Sequence, residues 1–299
     1  MTPGPLILLG FAESERQARA LADALEIPFA LVDVHRFPDG ESRVRVPPAL
    51  PGRTAIYRSL DQPNAKLFEL GLAASTARDV GATDLTLVAP YLCYMRQDKA
   101  FVPGEAVSQA LMGALLGTWF DTVVSVDPHL HRVSNLRQAV PTRQALALSA
   151  AAPLGDYLMR HLDRPLLLGP DQESRQWVAA IAAAHGLDYA VAKKERLGDR
   201  EVAIRLPGFN PRDRELVLVD DMASTGHTLS ATAAALHPLA PRSISVMVTH
   251  GLFVDGALER LAAAGIDRIW SSDSIPHPTN RVALAPLLAR ALGGAGSGA

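Results

Sequence analysis

Residues 216–236 read LVLVDDMASTGHTLSATAAAL, and this stretch decides the predicted fold. Its first four residues are apolar, which predicts a strand buried on both faces because the run is continuous rather than alternating. The aspartates Asp220 and Asp221 follow, and a Ser-Thr-Gly-His-Thr turn then leads into a helical pattern over residues 228–236. A strand, a polar turn and a helix in this order indicate one βα unit of a parallel sheet.

The same alternation recurs along the whole chain, and it predicts an α/β fold. The predicted strands occupy residues 6–9, 85–89, 123–126, 166–168, 216–219 and 244–248. The predicted helices occupy residues 14–25, 105–119, 174–185, 228–236 and 282–292. We expect two related domains in tandem, residues 1–145 and 146–299, with the last helix free to pack on either. Residues 293–299 contain only Gly, Ala and Ser, which predicts a flexible tail.

Composition excludes several classes of protein. The chain has 299 residues, 48% of them hydrophobic and 20% charged, a profile typical of soluble globular proteins. A net charge of −2 provides no broad positive field for nucleic acid or an anionic membrane, and neither is expected as a partner. One cysteine, Cys93, forms no intramolecular disulfide and no cysteine-built zinc site, which indicates a cytoplasmic protein. No apolar run is long enough to span a membrane.

The turn after the strand has the groups that a phosphate needs. In an open parallel sheet, ligands bind at the carboxyl ends of the strands, where the next helix presents unpaired N–H groups. Ser224, Thr225 and Thr228 add hydroxyl donors, and Gly226 lets the backbone approach closely. The two aspartates suit sugar hydroxyls or Mg²⁺. These residues alone also fit a plain helix cap with two solvated aspartates, and both interpretations remain open at this point.

The stretch resembles the loop that binds 5-phosphoribosyl diphosphate in type I phosphoribosyltransferases and ribose-phosphate diphosphokinases. Further segments resemble the diphosphokinases in family order: HRFPDGESRV (35–44), VAPYLCYMRQDK (88–99), VSVDPHLHR (124–132), GPDQESRQWV (169–178), AKKERLGDREV (192–202), THGLF (249–253) and SDSIP (272–276). The resemblance runs from about residue 5 to residue 290 and is greater to archaeal-type members. It implies two phosphoribosyltransferase-type domains, the first on the ATP side and the second on the ribose 5-phosphate side.

The resemblance also implies the ATP site. Its residues are Phe37, Asp39, Glu41, Arg96, Gln97, Lys99 and His129. In the family the Phe37 segment completes the ATP site of a neighbouring subunit, which implies a homo-oligomer. Without the family context, the first segment is an ordinary surface turn and the second an exposed polar loop. His131 is an extra histidine expected to be structural, and zinc is not expected.

The resemblance also implies the sugar site and the catalytic groups, which lie in the second domain. The ribose 5-phosphate residues are Asp171, Asp220, Asp221, Ser224, Thr225, Gly226, His227 and Thr228. By the same resemblance, Lys194 and Arg196 would be the catalytic residues, and His129 and Asp171 would be ligands of Mg²⁺. From the residues alone, Asp171 is equally a helix cap, and the Lys194 segment a solvated surface run.

The implied reaction transfers the diphosphoryl group of ATP to the 1-hydroxyl of ribose 5-phosphate and releases AMP. Four residues depart from the family pattern: His227 stands where the loop usually has glycine, Ser224 where bacterial members have aspartate, Lys99 where arginine is usual, and Glu195 lies between the catalytic residues. A side chain at 227 is costly if the backbone there needs a positive φ. The alternatives are a non-catalytic regulatory paralogue and a phosphoribosyltransferase.

Overall fold

The computed structural model describes residues 6–196, 202–205 and 208–294. The chain divides into two compact units: an N-terminal unit that ends at residue 148 and is joined by residues from 285 onward, and a C-terminal unit of residues 149–284. The predicted division at residues 145 and 146 places the last helix in the C-terminal domain. In the structure this helix packs on the first helix of the N-terminal unit.

The N-terminal unit is built on one six-stranded parallel sheet. Its strands are β1 (Leu6–Gly10), β2 (Phe29–Leu31), β3 (Asp33–Arg36), β4 (Ser42–Arg45), β5 (Arg53–Tyr57), β6 (Asp84–Val88), β7 (Thr122–Val126) and β8 (Gln144–Leu148). Its helices before residue 149 are α1 (Glu15–Leu25), α2 (Pro63–Asp79), α3 (Ser108–Trp119) and α4 (Leu136–Ala139). The sheet order is β2-β1-β5-β6-β7-β8, and β3 and β4 form a separate antiparallel hairpin.

The C-terminal unit has a second sheet of six strands. Its strands are β9 (Leu166–Gly169), β10 (Tyr189–Val191), β11 (Lys193–Arg196), β12 (Val202–Arg205), β13 (Glu215–Ala223), β14 (Ser243–Gly251), β15 (Arg268–Ser272) and β16 (Asn280–Val282). Its helices are α5 (Ala151–His161), α6 (Arg175–His185), α7 (His227–Leu236) and α8 (Ala257–Ala263). The final helix, α9 (Ala285–Gly294), belongs to the N-terminal unit. The predicted tail 293–299 therefore begins inside α9, and residues 295–299 lie outside the described residues.

The two units repeat one topology. The C-terminal sheet has the order β10-β9-β13-β14-β15-β16, which corresponds strand for strand to the N-terminal order. In both units a two-stranded antiparallel hairpin, β3–β4 or β11–β12, is inserted after the second strand of the sheet. The prediction of an α/β fold with two related tandem units of mostly parallel sheet is thus confirmed.

The predicted strands overlap observed ones because their continuous apolar runs are covered on both faces, and only Ala89, one residue past β6, falls outside them. Every residue of β7 and of β9 is buried. Helix α3 begins at Ser108 rather than at Glu105, because the Glu105 carboxylate accepts the N–H groups of the turn before it. Residues 280–282, which are adjacent to or inside the predicted last helix, instead form the edge strand β16.

Each unit has its own apolar core between the sheet and its helices. Residues such as Leu9, Ile56 and Leu87 line the N-terminal core, and Leu168, Leu218 and Val246 line the C-terminal one. Among the described residues, none of the helices combines the length and the apolar character needed to cross a bilayer.

Candidate active site

Two neighbouring strands bring the predicted sugar-binding aspartates together in the C-terminal unit. Strands β9 and β13 are adjacent and parallel, and Leu168 is the register partner of Leu218. Asp171 and Asp220 follow these residues at the carboxyl edge of the sheet, where ligands bind in folds of this class. The strand register thus brings two of the predicted ribose 5-phosphate residues to the same edge of the sheet.

Three carboxylates form one electrostatic cluster at this edge. Burial, then the charge of Asp221, then the charge of Asp171 raise the pKa of Asp220 well above its usual value. The backbone N–H of Asp221 donates to Oδ1 of Asp220 at 3.0 Å, which offsets only part of that cost. Asp221 is itself 2% exposed. Carboxylate oxygens are the ligands that Mg²⁺ takes, and a nearby cation would favour the charged form of Asp220.

Asp171 organises the turn that leads into α6. Its Oδ1 accepts the N–H groups of Glu173 and Ser174 at 3.0 and 3.2 Å, and Ser174 Oγ donates to its carbonyl at 2.7 Å. A Cβ on Gly169 would lie 2.5 Å from Ser174 Oγ, so this close turn requires glycine. Asp171 therefore closes the turn before α6 and does not cap the helix itself, whose N-cap is Ser174 without a side-chain cap hydrogen bond.

The Ser/Thr-rich turn between β13 and α7, residues 224–226, is held from one side by the segment 252–260. The backbone N–H groups of Leu252 and Phe253 donate to the carbonyl of Ala223 at 3.0 Å, and that of Val254 donates to the carbonyl of Ser224, also at 3.0 Å. The Arg260 guanidinium donates to the carbonyl of Thr225. With its carbonyls bound in this way, the turn leads directly into the first N–H groups of α7, which have no partner within the helix.

The backbone at position 227 does not need the positive φ that would make a side chain there costly. Gly226 takes the left-handed conformation, with a φ of 75°, and His227 is the first residue of α7. Residue 227 therefore has ordinary helical geometry, and its Cβ causes no strain. His227 is exposed, while Ser224, Thr225 and Thr228 are half-buried. All five residues of the predicted phosphate turn lie at the start of one helix.

The predicted catalytic residues lie on the hairpin β11–β12. Lys194 pairs with Ile204 and Arg196 with Val202 in the backbone ladder. The side chains of both predicted residues lie outside what the structure describes, as do residues 197–201 that connect the strands. Their roles remain predictions from the sequence.

In the N-terminal unit, the predicted adenine-binding residues lie on the turn of the hairpin β3–β4. The Phe37 side chain is 42% exposed, and its ring meets that of His35 edge-on at 4.7 Å. The N–H of Phe37 donates to the carbonyl of Glu41 at 2.8 Å, and the N–H of Glu41 donates to Oδ1 of Asp39 at 3.1 Å. Asp39 thus stabilises the turn, and Phe37 is presented at its surface.

The predicted triphosphate loop is fastened by a residue that the sequence analysis did not select. Oε2 of Glu105 accepts the N–H groups of Phe101 and Val102 at 2.6 and 3.2 Å, and Gln97 donates to it at 3.2 Å. The sequence analysis used Glu105 only as the first residue of the predicted helix 105–119. Lys99 lies over the Phe101 ring at 4.9 Å, and Arg96 is exposed.

The histidine pair follows strand β7 in the N-terminal unit. The rings of His129 and His131 meet edge-on with centroids 4.0 Å apart. Asp127, where the strand ends, has a φ of 37°, an uncommon conformation for a residue other than glycine. The ligand-binding role of His129 remains a prediction from the sequence.

Comparison with known proteins gives one consistent family. Residues 6–119 match the N-terminal domain of ribose phosphate pyrophosphokinase, which is another name for the diphosphokinase, and residues 151–268 match the phosphoribosyl transferase domain. A ribose-phosphate pyrophosphokinase from Methanopyrus kandleri is 34% identical over 291 residues, covering 96% of this chain and 98% of the relative. One from Thermococcus kodakarensis is 31% identical over 86% of this chain and 90% of the relative.

Among solved structures, the phosphoribosylpyrophosphate synthetase from Mycobacterium smegmatis has the same fold. It superposes with a TM-score of 0.85 at 23% identity, covering 98% of this chain and 99% of that chain. Both relatives above are archaeal, so the predicted similarity to archaeal-type members is confirmed.

Proposed function

The chain belongs to the ribose-phosphate pyrophosphokinase family, and on that premise we propose that it transfers the diphosphoryl group of ATP to ribose 5-phosphate. The 1-hydroxyl oxygen of the sugar forms a bond to the β-phosphorus and gives up its proton, the bond to the α-phosphate oxygen breaks, and AMP leaves. The products are 5-phosphoribosyl 1-diphosphate and AMP. Such a transfer depends on positioning and on neutralisation of charge rather than on covalent chemistry by the protein.

The observation that carries this proposal is the association of the carboxylate cluster with the phosphate turn in the C-terminal unit. Asp220 lies among the last four residues of β13, and the turn that begins at Ser224 joins the same strand to α7. The hydroxyls of Ser224, Thr225 and Thr228 and the N–H groups at the helix start bind the 5-phosphate. The cluster carboxylates of Asp220 and Asp171 then orient the ribose ring, so the nucleophile is fixed before reaction.

The carboxylate cluster also fits a divalent cation. Mg²⁺ prefers carboxylate oxygens, and the mutual repulsion that raises the pKa of Asp220 is relieved when a cation is bound. Asp171 is the proposed ligand in this unit, and His129 is a second proposed ligand in the N-terminal unit. When bound, the cation neutralises charge on the triphosphate. The carboxylates of this chain hold the ribose hydroxyls in either case.

The ATP site is proposed on the N-terminal unit. Phe37 at the hairpin turn stacks on adenine, and Asp39 and Glu41 lie beside the purine edge. The loop that carries Arg96, Gln97 and Lys99 grips the triphosphate, because a guanidinium makes paired hydrogen bonds to phosphate oxygens. The exposure of the hairpin turn supports a site completed between copies of this chain, so we propose a homo-oligomer.

A direct assay separates this function from the two alternatives. Purified protein is incubated with ATP, Mg²⁺ and ribose 5-phosphate, and AMP and the new diphosphate are followed by ³¹P NMR. AMP release that requires ribose 5-phosphate supports the proposal. Binding of ATP without AMP release indicates the regulatory paralogue, and consumption of 5-phosphoribosyl diphosphate with a nucleobase indicates a phosphoribosyltransferase; either result overturns it.

A further inference from the structure

One buried carboxylate, that of Glu69 in α2, holds both strands of the hairpin β3–β4. Nε of Arg36 donates to Oε1 of Glu69 at 2.7 Å, and Nη2 donates to Oε2 at 3.3 Å. Ser42 Oγ donates to Oε1 at 3.1 Å. Arg36 and Ser42 are register partners and form the last pair of the ladder before the turn. Glu69 therefore clamps the hairpin at the base of the turn that carries Phe37.

Glu69 is itself fixed from behind by Arg58. Both side chains are 1% exposed, and Nη2 of Arg58 donates to Oε2 of Glu69 at 2.6 Å. The remaining guanidinium nitrogens donate to Oε1 of Glu13 at 2.7 Å and to the carbonyl of Lys66 at 2.8 Å. The guanidinium also lies 3.7 Å from the centre of the Phe11 ring. A charged group with all these partners in a buried site has little freedom to move.

The hairpin depends on such side-chain contacts for its orientation. In the described residues, β3 and β4 pair only with each other and add no strand to the six-stranded sheet. An isolated two-stranded ribbon is marginally stable in water, so its position relative to the unit must come from other contacts. Val34 and Val44 of the hairpin pack against the apolar core of the unit. The hydrogen bonds from Arg36 and Ser42 to the Glu69 carboxylate add a polar attachment. These lie next to the turn, where they have the most effect on its position.

We propose that Glu69 is a positioning residue for nucleotide binding, which fixes the hairpin turn 37–41 in the orientation that receives the adenine. The inference rests on the proposed function, because it assumes that Phe37 stacks on the base. Glu69 touches no substrate and acts through Arg36 and Ser42. Its carboxylate preorganises the turn, so the cost of ordering the hairpin is not taken from the binding free energy of ATP.

The hairpin offers a matched control for the loss of an arginine–carboxylate contact. Nη2 of Arg45 lies 2.9 Å from Oδ2 of Asp33, its cross-strand partner. This ion pair is on the same hairpin as Arg36 and is more exposed, but it joins the two strands to each other instead of to α2. Arg45→Gln therefore removes a similar contact and leaves the clamp intact.

The test measures hairpin mobility and nucleotide affinity separately, both without turnover. The variants are Arg36→Gln, Ser42→Ala, Glu69→Gln and the control Arg45→Gln. Hydrogen exchange of the β3–β4 amides is followed by mass spectrometry, and the Kd of a non-hydrolysable ATP analogue by calorimetry. Arg36 and Ser42 lie at the surface side of the clamp, so their variants are informative even where Glu69→Gln, which strands a buried arginine, fails to fold.

We expect the exchange of the hairpin amides to increase in Arg36→Gln and the Kd for the analogue to rise about tenfold, as for loss of one charge-assisted contact. Ser42→Ala should produce a smaller change in the same direction, and Arg36→Gln combined with Glu69→Gln should be no worse than the stronger single variant. The Kd for ribose 5-phosphate should not change. Faster exchange with an unchanged Kd for the analogue, an additive double variant, or an equal effect of Arg45→Gln overturns the inference.

Failure of the inference is distinguishable from failure of the proposed function. The wild-type assay for AMP release tests the reaction and does not involve the clamp. The exchange and binding measurements test the clamp and do not require any product to form. A wild-type protein that binds the analogue but releases no AMP rejects the reaction, while the difference between the Arg36 and Arg45 variants still decides the role of Glu69.

Discussion

The carboxylate of Asp171 lies within electrostatic range of Asp220 and, after burial and the charge of Asp221, is a further cause of the raised pKa of Asp220. Asp171 follows β9 and Asp220 lies near the carboxyl end of the adjacent strand β13, and the register of the two strands brings these ends to the same edge. A carboxyl group whose pKa is raised in the folded state destabilises the folded protein once the pH exceeds the pKa of that group in the unfolded chain. At neutral pH, the cluster is therefore a cost in folding free energy, which the proposed cation would relieve.

The first prediction concerns this cost. Asp220→Asn removes the buried carboxyl group whose pKa is raised, so we expect the metal-free variant to melt about 2 °C or more above the wild type at pH 7. Added Mg²⁺ should raise the melting temperature of the wild type more than that of the variant. Calorimetry with and without Mg²⁺ measures both effects. Asp188→Asn, at an exposed ion pair with Arg214, is the control and should show no gain. A variant that melts below the wild type without Mg²⁺ would contradict the prediction.

The second prediction concerns Arg260, whose guanidinium donates to the carbonyl of Thr225 in the phosphate turn. Arg260→Met keeps much of the side-chain volume and loses this hydrogen bond, so the turn becomes less ordered. The KM for ribose 5-phosphate should rise about tenfold, with the KM for ATP unchanged. Steady-state kinetics with each substrate varied in turn provides the measurement.

A matched control exists for Arg260 in the same unit. Nη1 of Arg281 also donates to backbone carbonyls, those of Pro278 and Asn280, at 2.9 and 2.8 Å. Arg281→Met should therefore leave both KM values unchanged. Equal changes in the two variants, or a rise in the KM for ATP with Arg260→Met, would show that the effect does not pass through the phosphate turn.

The sequence predicted the elements that carry the phosphate turn because their signals are local. The apolar run 216–219 and the polar turn that begins at Ser224 lie within a few residues of each other. Arg260 gave no such signal, since it reaches Thr225 from 35 residues away. The position of Glu69 was also hidden, because a charged residue in a helix is normally solvated and only the fold brings Arg58 and Arg36 to it.

Helix α2 shows why part of the fold was missed. Its buried residues include several alanines, such as Ala73, Ala74 and Ala77, and its covered face has no clear stripe of large apolar side chains. Periodicity depends on contrast between faces, and alanine provides little of it. The last helix shows a different limit. Residues 280–282 form the edge strand β16 by pairing with β15, and the local sequence does not show that β15 lies nearby.

The third prediction is an acid sensitivity that arises from Glu69. Burial raises the pKa of Glu69, but hydrogen bonds from Arg36 and Arg58 outweigh it, so the net pKa lies below its usual value. A lowered carboxyl pKa contributes stability that is present above the unfolded pKa and is lost as pH falls through the folded pKa. Glu69→Gln should therefore be less stable than the wild type at pH 7, and this difference should shrink below about pH 4.3.

Urea unfolding of both proteins at a series of pH values measures this difference. Glu15→Gln, which removes an exposed ion pair with Arg19, is the control and should change the stability little at any pH. A difference between wild type and Glu69→Gln that stays constant down to the acid limit would show that the charge of Glu69 is not what stabilises the network.

The fourth prediction concerns Lys194 on β11, the proposed catalytic lysine. If its ammonium stabilises charge on the transferred diphosphoryl group, the contact is made chiefly in the transition state. Lys194→Ala should then lower kcat about a hundredfold or more while changing both KM values only slightly. Lys193→Ala is the matched control: it removes the same type of side chain one position earlier on the same strand, and its kcat should stay near that of the wild type. A fall in kcat that is equal in both variants, or a loss in Lys194→Ala that resides in KM, would assign this residue to binding or to general charge instead of to the reacting phosphates.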